Sequence, residues 1–365
     1  MINIGINCLK NFETQYNRLQ KEHGTYIARL NGFDDDQLSY TDFIANFIDE
    51  DTVADVSVDG SSNSAHKDIV TLLTEMPKPH RKLIAFNKIY YEYEKMFGFH
   101  NANQWIDMEW TGKLYMHDGD TSTFKSYCFA YDLKDLAEKG LYFIGSNQRP
   151  PKHLGTFVTF VKEFINYTSN RTSGAVGLPN LLIYMFYFWK KDLDSHYMGI
   201  TEEYAEAYAK QGFQEFIFAV NQPYCRDGQQ SAFTNTSIFD RPYFEALFGG
   251  VEYPDGTFVI DYEEEIMEFQ KWYMEVMGEI RNDNMFTFPV NSISLLRKEG
   301  EFDLNSLDGF EDPEFAEWAI IHNMIWSDSN LFCDTSVNSL SNCCRLKSDI
   351  RDLGYVKMPY NSFAA

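Results

Sequence analysis

The sequence is poor in basic residues. Lysine and arginine total 31 against 54 aspartates and glutamates, which gives a formal net charge of −23. No cluster of five or more lysines and arginines offsets this charge locally. Such a surface repels duplex DNA and anionic membranes, so we expect neither as a partner. A small phosphorylated ligand remains compatible, because a helix N-terminus and one or two basic side chains can bind it.

Export signals and long apolar segments are also missing. Residues 1–5 do not start a basic stretch followed by an apolar one, so we expect no secretory leader. The longest apolar run, residues 181–189, is about half a bilayer span and ends at two lysines. It predicts a buried strand or helix. We therefore expect a cytoplasmic protein without a membrane segment.

Common metal and nucleotide motifs do not occur. The six cysteines include no Cys-x-x-Cys pair, so we expect no zinc ribbon in this chain. The Walker loop and the Gly-x-Gly-x-x-Gly, His-Glu-x-x-His and Gly-x-Ser-x-Gly motifs are absent. Hydrolase and P-loop functions therefore have little support. In a reducing cytosol the cysteines are thiols.

Apolar and aromatic residues are abundant. The chain is 44% hydrophobic and has 31 Phe, 23 Tyr and 6 Trp among its 365 residues, enough for a large core. Helical patterns come first, and strands then alternate with helices, which predicts an α/β or α+β fold. A short strand is predicted at 112–120 and a broken one at 286–291. The predicted helices are 80–96, 151–167, 202–220, 262–280 and 313–321.

Residues 222–238 form an unusual polar segment. A turn at Asp227-Gly228 leads into a strand rich in Thr, Asn and Ser. Such a strand is compatible with a solvated sheet edge. The solvated edge is the more common case, and a barrel strand whose polar side chains point at a ligand is the alternative.

Two adjacent cysteines, Cys343 and Cys344, lie in a polar loop next to Arg345. Neighbouring cysteines seldom reach the geometry of a disulfide. The pair therefore indicates either packing, since buried cysteine is a small hydrophobe, or thiol chemistry.

Three segments, in order, resemble the anaerobic (class III) ribonucleoside-triphosphate reductases, a family of glycyl-radical enzymes. The first joins Tyr115-Met116-His117-Asp118 to Cys128. The second, residues 221–237, is similar to the family's Asn-Gly-Gln-x-x-Phe strand. The third, residues 338–353, is similar to its finger loop and contains the Cys-Arg pair. With gaps, the resemblance runs from about residue 60 to residue 355.

The resemblance implies the first half of a ten-stranded α/β barrel, preceded by an N-terminal helical region. Residues 1–60 are then a peripheral segment, and 61–365 are barrel, ending at the finger-loop cysteine. Cys344 maps to the thiyl-radical residue that takes the ribose 3′ hydrogen, and Cys128 to the cysteine across the barrel. His117 is expected to shape the substrate site. The residues expected to line it are Ser231, Thr234, Asn235 and Thr236.

The resemblance also implies cofactors and partners. We expect no cofactor on this chain, since the glycyl radical and a structural zinc site belong to the family's C-terminal part. No ATP-cone domain is expected either. The implied partners are a ribonucleoside triphosphate, dNTP or ATP effectors, a C-terminal half chain, a radical-SAM activating enzyme and a second copy in a homodimer. The reductant is formate or a thioredoxin-like protein.

Two alternatives stay open. One is another glycyl-radical enzyme of the pyruvate formate-lyase type, which also has a Cys-Cys pair on the finger loop. The other is an inactive truncated fragment or binding subunit that needs a C-terminal partner chain. The expected location is the cytoplasm of a bacterium, or of the infected cell if a phage encodes the protein.

Overall fold

The computed structural model describes residues 10–23, 73, 77–116, 119, 125, 128–143, 146–222, 225, 231–283, 287–300, 306–341, 347–349 and 362–364. The chain divides into two compact units. The first contains the described residues between 10 and 125, and the second contains those from 128 onward. No helix of the described residues is long and apolar enough to cross a membrane.

The first unit is helical. Its helices are α1 (Lys10–His23), α2 (Lys78–Phe97) and α3 (Phe99–Trp110). The helix predicted at 80–96 is confirmed, and it ends at Gly98, whose positive φ of +84° suits glycine. The strand predicted at 112–120 is wrong where it is described, because residues 111–114 form turns and bends. The buried apolar core comprises Phe12, Leu19, Phe86, Tyr90, Ala102, Trp105, Ile106 and Trp110.

The second unit is an α/β structure around a parallel sheet. Its helices are α4 (Lys134–Lys139), α5 (Leu154–Ser169), α6 (Leu181–Asp194), α7 (Ala205–Val220), α8 (Arg241–Phe248), α9 (Glu263–Asp283) and α10 (Pro313–Trp326). The helices predicted at 151–167, 202–220, 262–280 and 313–321 are confirmed. The first three have the apolar three- and four-residue spacing that a helix buries on one side, and α10 begins at Pro313 followed by Glu314, as its prediction assumed.

The main sheet has the strand order β10-β1-β4-β5-β6-β7. Its parallel strands are β1 (Phe129–Tyr131), β4 (Val176–Leu178), β5 (Thr234–Phe239), β6 (Val290–Leu296) and β7 (Ser329–Asp334). Strand β10 (Ser362–Ala364) pairs with β1 in the antiparallel sense. Two antiparallel pairs lie apart: β2 (Tyr142–Phe143) with β3 (Ser146–Asn147), and β8 (Ser339–Ser341) with β9 (Lys347–Asp349). The predicted α/β class is confirmed, and five parallel strands match half of a ten-stranded barrel.

The aromatic run at 181–189 is a helix. It forms most of α6, and each of its nine residues is buried. Phe188 stacks on Phe157 of α5 with ring centroids 4.8 Å apart, and Phe186 meets Phe269 of α9 edge-to-face at 5.5 Å. A helix surrounded by other elements needs no polar side. This is why a sequence without amphipathic spacing left the choice between strand and helix open.

Helices cover one face of the sheet, and the strand register identifies which residues lie there. Tyr131 of β1 packs edge-to-face on Phe164 of α5 at 5.1 Å. Asn291 of β6 accepts a hydrogen bond of 3.1 Å from the hydroxyl of Tyr273 on α9. Side chains alternate between the two faces of a strand. Residues one position before or after Tyr131 and Asn291 therefore face the other side.

Candidate functional site

A row of small polar residues lies on the side of the sheet away from Tyr131 and Asn291. In the register, Asn235 aligns with Val290 and Ser237 aligns with Ser292. Ser294 follows two positions after Ser292 on the same side. We call Cys128, Asn235, Ser237, Ser292 and Ser294 the polar face. Its asparagine and serines are each at most 2% exposed.

Strand β5 lies in the interior of the sheet, between β4 and β6. All six of its residues are buried. The interpretation of this segment as a solvated edge is therefore wrong. Four consecutive polar side chains in a buried central strand are costly unless they find partners. The alternative interpretation, a barrel strand that points at a ligand, stays a prediction.

Cys128 belongs to the same side of the sheet as Asn235. It comes two residues before Ala130, and Ala130 aligns with Gly177, which aligns with Asn235. The backbone N–H of Ala175 donates to its Sγ at 3.2 Å. Cys128 and Asn235 are two strands apart across the sheet and two residues apart along the strand direction. Standard sheet geometry therefore places their Cα atoms about 12 Å apart. Ala130 and Gly177 lie between Cys128 and Asn235 in the register. Because both are small, no bulky side chain separates Cys128 from Asn235.

Two polar atoms of this face lack a hydrogen-bond partner within the described part of the chain. They are Oδ1 of Asn235 and Oγ of Ser237. The Nδ2 of Asn235, in contrast, donates to the carbonyl of Val290 at 2.7 Å and to Oγ of Ser292 at 2.9 Å. Leaving one buried polar atom unsatisfied costs about 1–3 kcal/mol. The same holds for Oγ1 of Thr234 and Oγ1 of Thr236 on the helix side of the strand, so these unsatisfied atoms do not by themselves single out one face.

The other predicted substrate residues lie elsewhere. Thr236 aligns with Leu178 and Asn291, and Thr234 lies two positions before it, so both face the helices. Ser231 precedes the strand, and its hydroxyl donates to the carbonyl of Asn221 at the end of α7 at 3.3 Å. A role of these three in substrate binding stays a prediction, and the polar face offers them no place.

His117 and Cys344 lie outside the described residues. Their roles in substrate binding and radical chemistry therefore stay predictions from the sequence resemblance. Within the described part of the chain, no group of three or more His, Cys, Asp or Glu is arranged to hold a metal ion.

Asp240 ties the carboxyl ends of the central strands together. Its Oδ1 accepts from the backbone N–H of Tyr243, the start of α8, at 3.1 Å, and its Oδ2 accepts from that of Leu296 at 2.6 Å. The hydroxyl of Tyr243 reaches Oδ2 of Asp334 at the end of β7 at 3.2 Å. Burial raises the pKa of Asp240 to about 6, against the opposing effect of these two N–H donors. The polar face is therefore held in register at one end by a buried carboxyl.

Sequence reasoning missed Ser237, Ser292, Ser294 and Asp240. A signal for the serines exists: the polar run 234–237 recurs as Asn291-Ser292-Ile293-Ser294 in the next predicted strand. In neighbouring parallel strands, two such runs bring their alternate residues to one face. Asp240 also has a signal, since Asp before Arg241-Pro242 is a common helix N-cap followed by proline.

The chain matches known proteins over most of its length. A family model described as anaerobic ribonucleoside-triphosphate reductase matches residues 79–363. Crystal structures of the anaerobic ribonucleotide reductase from Thermotoga maritima are 34% identical in sequence. The complex with dATP and CTP superposes with a TM-score of 0.76 over 92% of this chain and 52% of that one. The form with citrate in the active site has a TM-score of 0.74 over 91% and 55%. The chain thus spans about half the length of these structures. No curated protein sequence matched.

Proposed function

Because the chain belongs to the anaerobic ribonucleoside-triphosphate reductase family, we propose that it supplies the ribonucleotide-binding half of such an enzyme's catalytic barrel. The observation that supports this most directly is the polar face. It combines a cysteine, Cys128, with buried and partly unsatisfied polar groups on one side of a parallel sheet. Radical chemistry on a sugar needs a substrate held against a thiol and shielded from water.

The proposed reaction begins at Cys344, on the strength of the Cys-Arg motif. A glycyl radical on the rest of the enzyme would take the thiol hydrogen of Cys344. The resulting sulfur radical takes the 3′ hydrogen of the ribose, so an S–H bond forms as a C–H bond breaks. The 2′ hydroxyl then leaves as water after protonation. Formate or a thioredoxin-like protein supplies two electrons, with Cys128 as the thiol that passes reducing equivalents to the sugar. Cys344 finally returns its hydrogen to C3′.

Nucleotides are the proposed ligands. The Thermotoga maritima structures hold dATP and CTP, one of them with dATP in a specificity site. We extend ribonucleotide substrates and nucleotide effectors to this chain. In the full enzyme we also expect a homodimer and activation by a radical-SAM protein.

The remaining half of the barrel is the proposed partner of one sheet edge. Among the described strands, β7 pairs only with β6, so its other edge is open to a further strand. Helix α10, which leads directly into β7, exposes Ile321 by 50%, Met324 by 78% and Ile325 by 65%. An exposed apolar helix face beside an open strand edge is typical of an interface that another part of the fold covers. The matched structures are about twice as long as this chain.

The activity test combines this chain with the remaining half and an activating enzyme under anaerobic conditions. Conversion of CTP to its deoxynucleotide is then measured by chromatography. Cys344→Ala and Cys128→Ser should each lower product formation at least a hundredfold. Cys333→Ser is the matched control, because Cys333 is an exposed cysteine at the β7 end and lies outside the polar face. Turnover retained by Cys344→Ala would refute the radical assignment.

The partner test measures binding of a polypeptide that carries the second half of the barrel. Burying one of the exposed α10 side chains contributes about 1.5–3 kcal/mol. Met324→Asp should therefore weaken binding about tenfold or more in sedimentation equilibrium. Met198→Asp changes an equally exposed methionine in another part of the unit and serves as the control. Equal effects of the two substitutions would contradict this docking surface.

A further inference from the structure

Glu109 is a carboxyl buried in the helical core of the first unit. It lies on α3 with none of its surface exposed, and neither of its side-chain oxygens has a hydrogen-bond partner within the described part of the chain. Asp192 and Asp240 are equally buried, but both of their oxygens are hydrogen-bonded. Burying a charge without hydrogen bonds costs far more than burying a neutral group. The site of Glu109 therefore favours the protonated carboxyl.

Lys82 of α2 is the charged side chain that acts on Glu109, and it contacts two aromatic rings. It is 8% exposed, and its Nζ lies 5.3 Å from the ring centroid of Tyr115 and 5.9 Å from that of Phe86. Such cation–π contacts stabilise an ammonium group away from water. Burial raises the pKa of Glu109, and the charge of Lys82 and the nearby N–H of Met116 oppose that rise. An ionised Glu109 therefore attracts Lys82 away from the two rings.

The other charged side chains around Glu109 are paired or exposed. The titratable groups on the neighbouring elements are Tyr16 and Arg18 of α1, and Lys113 and Tyr115 after α3. Arg18 forms ion pairs with Glu22 and Asp107, and Lys113 is exposed. Burial raises the pKa of Tyr16, which keeps its hydroxyl neutral. Lys82 is consequently the cation that responds to the charge of Glu109.

The turn that follows α3 depends on the same lysine. The N–H groups of Lys113 and Leu114 both donate to the carbonyl of Met108, at 2.9 and 3.1 Å. These bonds hold the turn to the end of α3. The contact of Tyr115 with Lys82 joins the turn to α2 as well. A movement of Lys82 towards the buried carboxyl removes that attachment.

We propose that Glu109 is a proton-dependent switch that controls whether the turn at 111–116 is attached to α2. When the carboxyl is neutral, Lys82 stays against Tyr115 and the turn is attached. When the carboxyl is ionised, Lys82 moves towards it, Tyr115 is released and α3 packs less firmly. This switch lies within the first unit and does not depend on the proposed function.

The direction of the pH dependence follows from proton linkage. An exposed glutamate titrates near 4.3. Because burial raises the pKa of Glu109 in the closed form, the stabilisation by the neutral carboxyl is fully present below that pH. It is lost as the pH rises through the pKa of the closed form.

The test is hydrogen–deuterium exchange of the full 365-residue chain between pH 5 and pH 8, read by mass spectrometry and corrected for the intrinsic pH dependence of exchange. In the native chain, the opening of α3 and the turn should increase by up to about tenfold per pH unit until Glu109 is ionised. Glu109→Gln, which cannot ionise, should abolish this increase. Glu13→Gln is the matched control, because it changes an exposed glutamate on α1 of the same unit, and it should leave the increase unaltered.

Lys82→Met tests the direction independently and covers the case in which Glu109→Gln does not fold. It removes the charge that lowers the pKa of Glu109, so the increase in opening should extend to a higher pH. A purely structural role of Lys82 would instead change the opening equally at every pH. Infrared difference spectra between the native chain and Glu109→Gln should show the band of a protonated carboxyl, which weakens over the same pH range.

Three results would overturn this inference. The first is an opening of α3 in the native chain that does not change between pH 5 and pH 8. The second is an increase that persists unchanged in folded Glu109→Gln. The third is an increase in Lys82→Met that ends at the same or a lower pH than in the native chain.

Discussion

The buried carboxyl of Asp240 makes a specific prediction about stability and pH. Its two oxygens are bonded to the N–H groups of Tyr243 and Leu296, and the side chain is fully buried. Burial raises its pKa to about 6, the two N–H donors lower it, and the charges of Asp312 and Glu311 raise it further. In the unfolded chain an aspartate titrates near 3.9. A raised pKa means that the folded state binds the proton more tightly.

The sign follows from proton linkage. The stability that Asp240 contributes is fully present below about pH 4 and is lost as the pH rises through about 6. Between pH 5 and pH 8 the unfolding free energy should therefore fall by about 1.4 kcal/mol because of this residue alone. The side chain of Asp240→Asn cannot titrate, so the variant lacks this pH-dependent contribution to the unfolding free energy. From pH 5 to pH 8, the unfolding free energy of the native chain should therefore fall by about 1.4 kcal/mol relative to that of Asp240→Asn.

The assay is urea unfolding followed by circular dichroism at several pH values between 5 and 8. Asp194→Asn, at an exposed aspartate, is the control and should leave the pH dependence of the native chain unaltered. A difference between native chain and Asp240→Asn that stays constant with pH would refute the reasoning. So would a native chain that gains stability relative to Asp240→Asn as the pH rises.

Three further changes test the packing around the site by urea unfolding. Asp192→Ala should cost about 1–3 kcal/mol, because it leaves the Leu154 N–H and the Tyr208 hydroxyl without the buried carboxylate that accepts from them. An unchanged unfolding midpoint would contradict this. Gly278→Ala should cost about 1–3 kcal/mol, because a Cβ there would lie 2.7 Å from the Trp326 ring. Gly250→Ala is the control for added volume, because a Cβ at position 250 would have no neighbouring atom within 4 Å. Asn221→Ala should cost about 1–3 kcal/mol by removing the amide that bonds both backbone groups of Phe288; an unchanged midpoint would show that Phe288 finds other partners.

Much of the helical structure was predictable from the sequence. The helices α5, α7 and α9 have apolar residues at three- and four-residue spacing, and the starts of α7, α9 and α10 carry acidic residues or proline that fit a helix N-terminus. The short helices α3, α4 and α8 were not predicted, and α6 was left open between helix and strand. Its nine apolar residues have no polar side, so periodicity carried no information about whether they form a helix or a strand.

The candidate site was predicted in part. The polar strand at 234–237 and Cys128 were recognised, and the structure brings Cys128 and Asn235 to one face. The serines of β6 and Asp240 were not recognised, because their importance comes from strand neighbours about sixty residues away in the chain. Local sequence cannot show that Ser237 and Ser292 lie side by side, since that depends on the register between two strands.

The sequence by itself determined which polar side chains of β5 lie on the same side of the strand. Residues 235 and 237 share one side and residues 234 and 236 the other, because the strand repeat is two residues. That pattern is symmetric and does not say which side packs against the helices. Only the tertiary structure decided it, by packing α5 and α9 against Tyr131 and Asn291. Helices must bury their apolar stripes on one face of the sheet, and Asn235 and Ser237 consequently lie on the other.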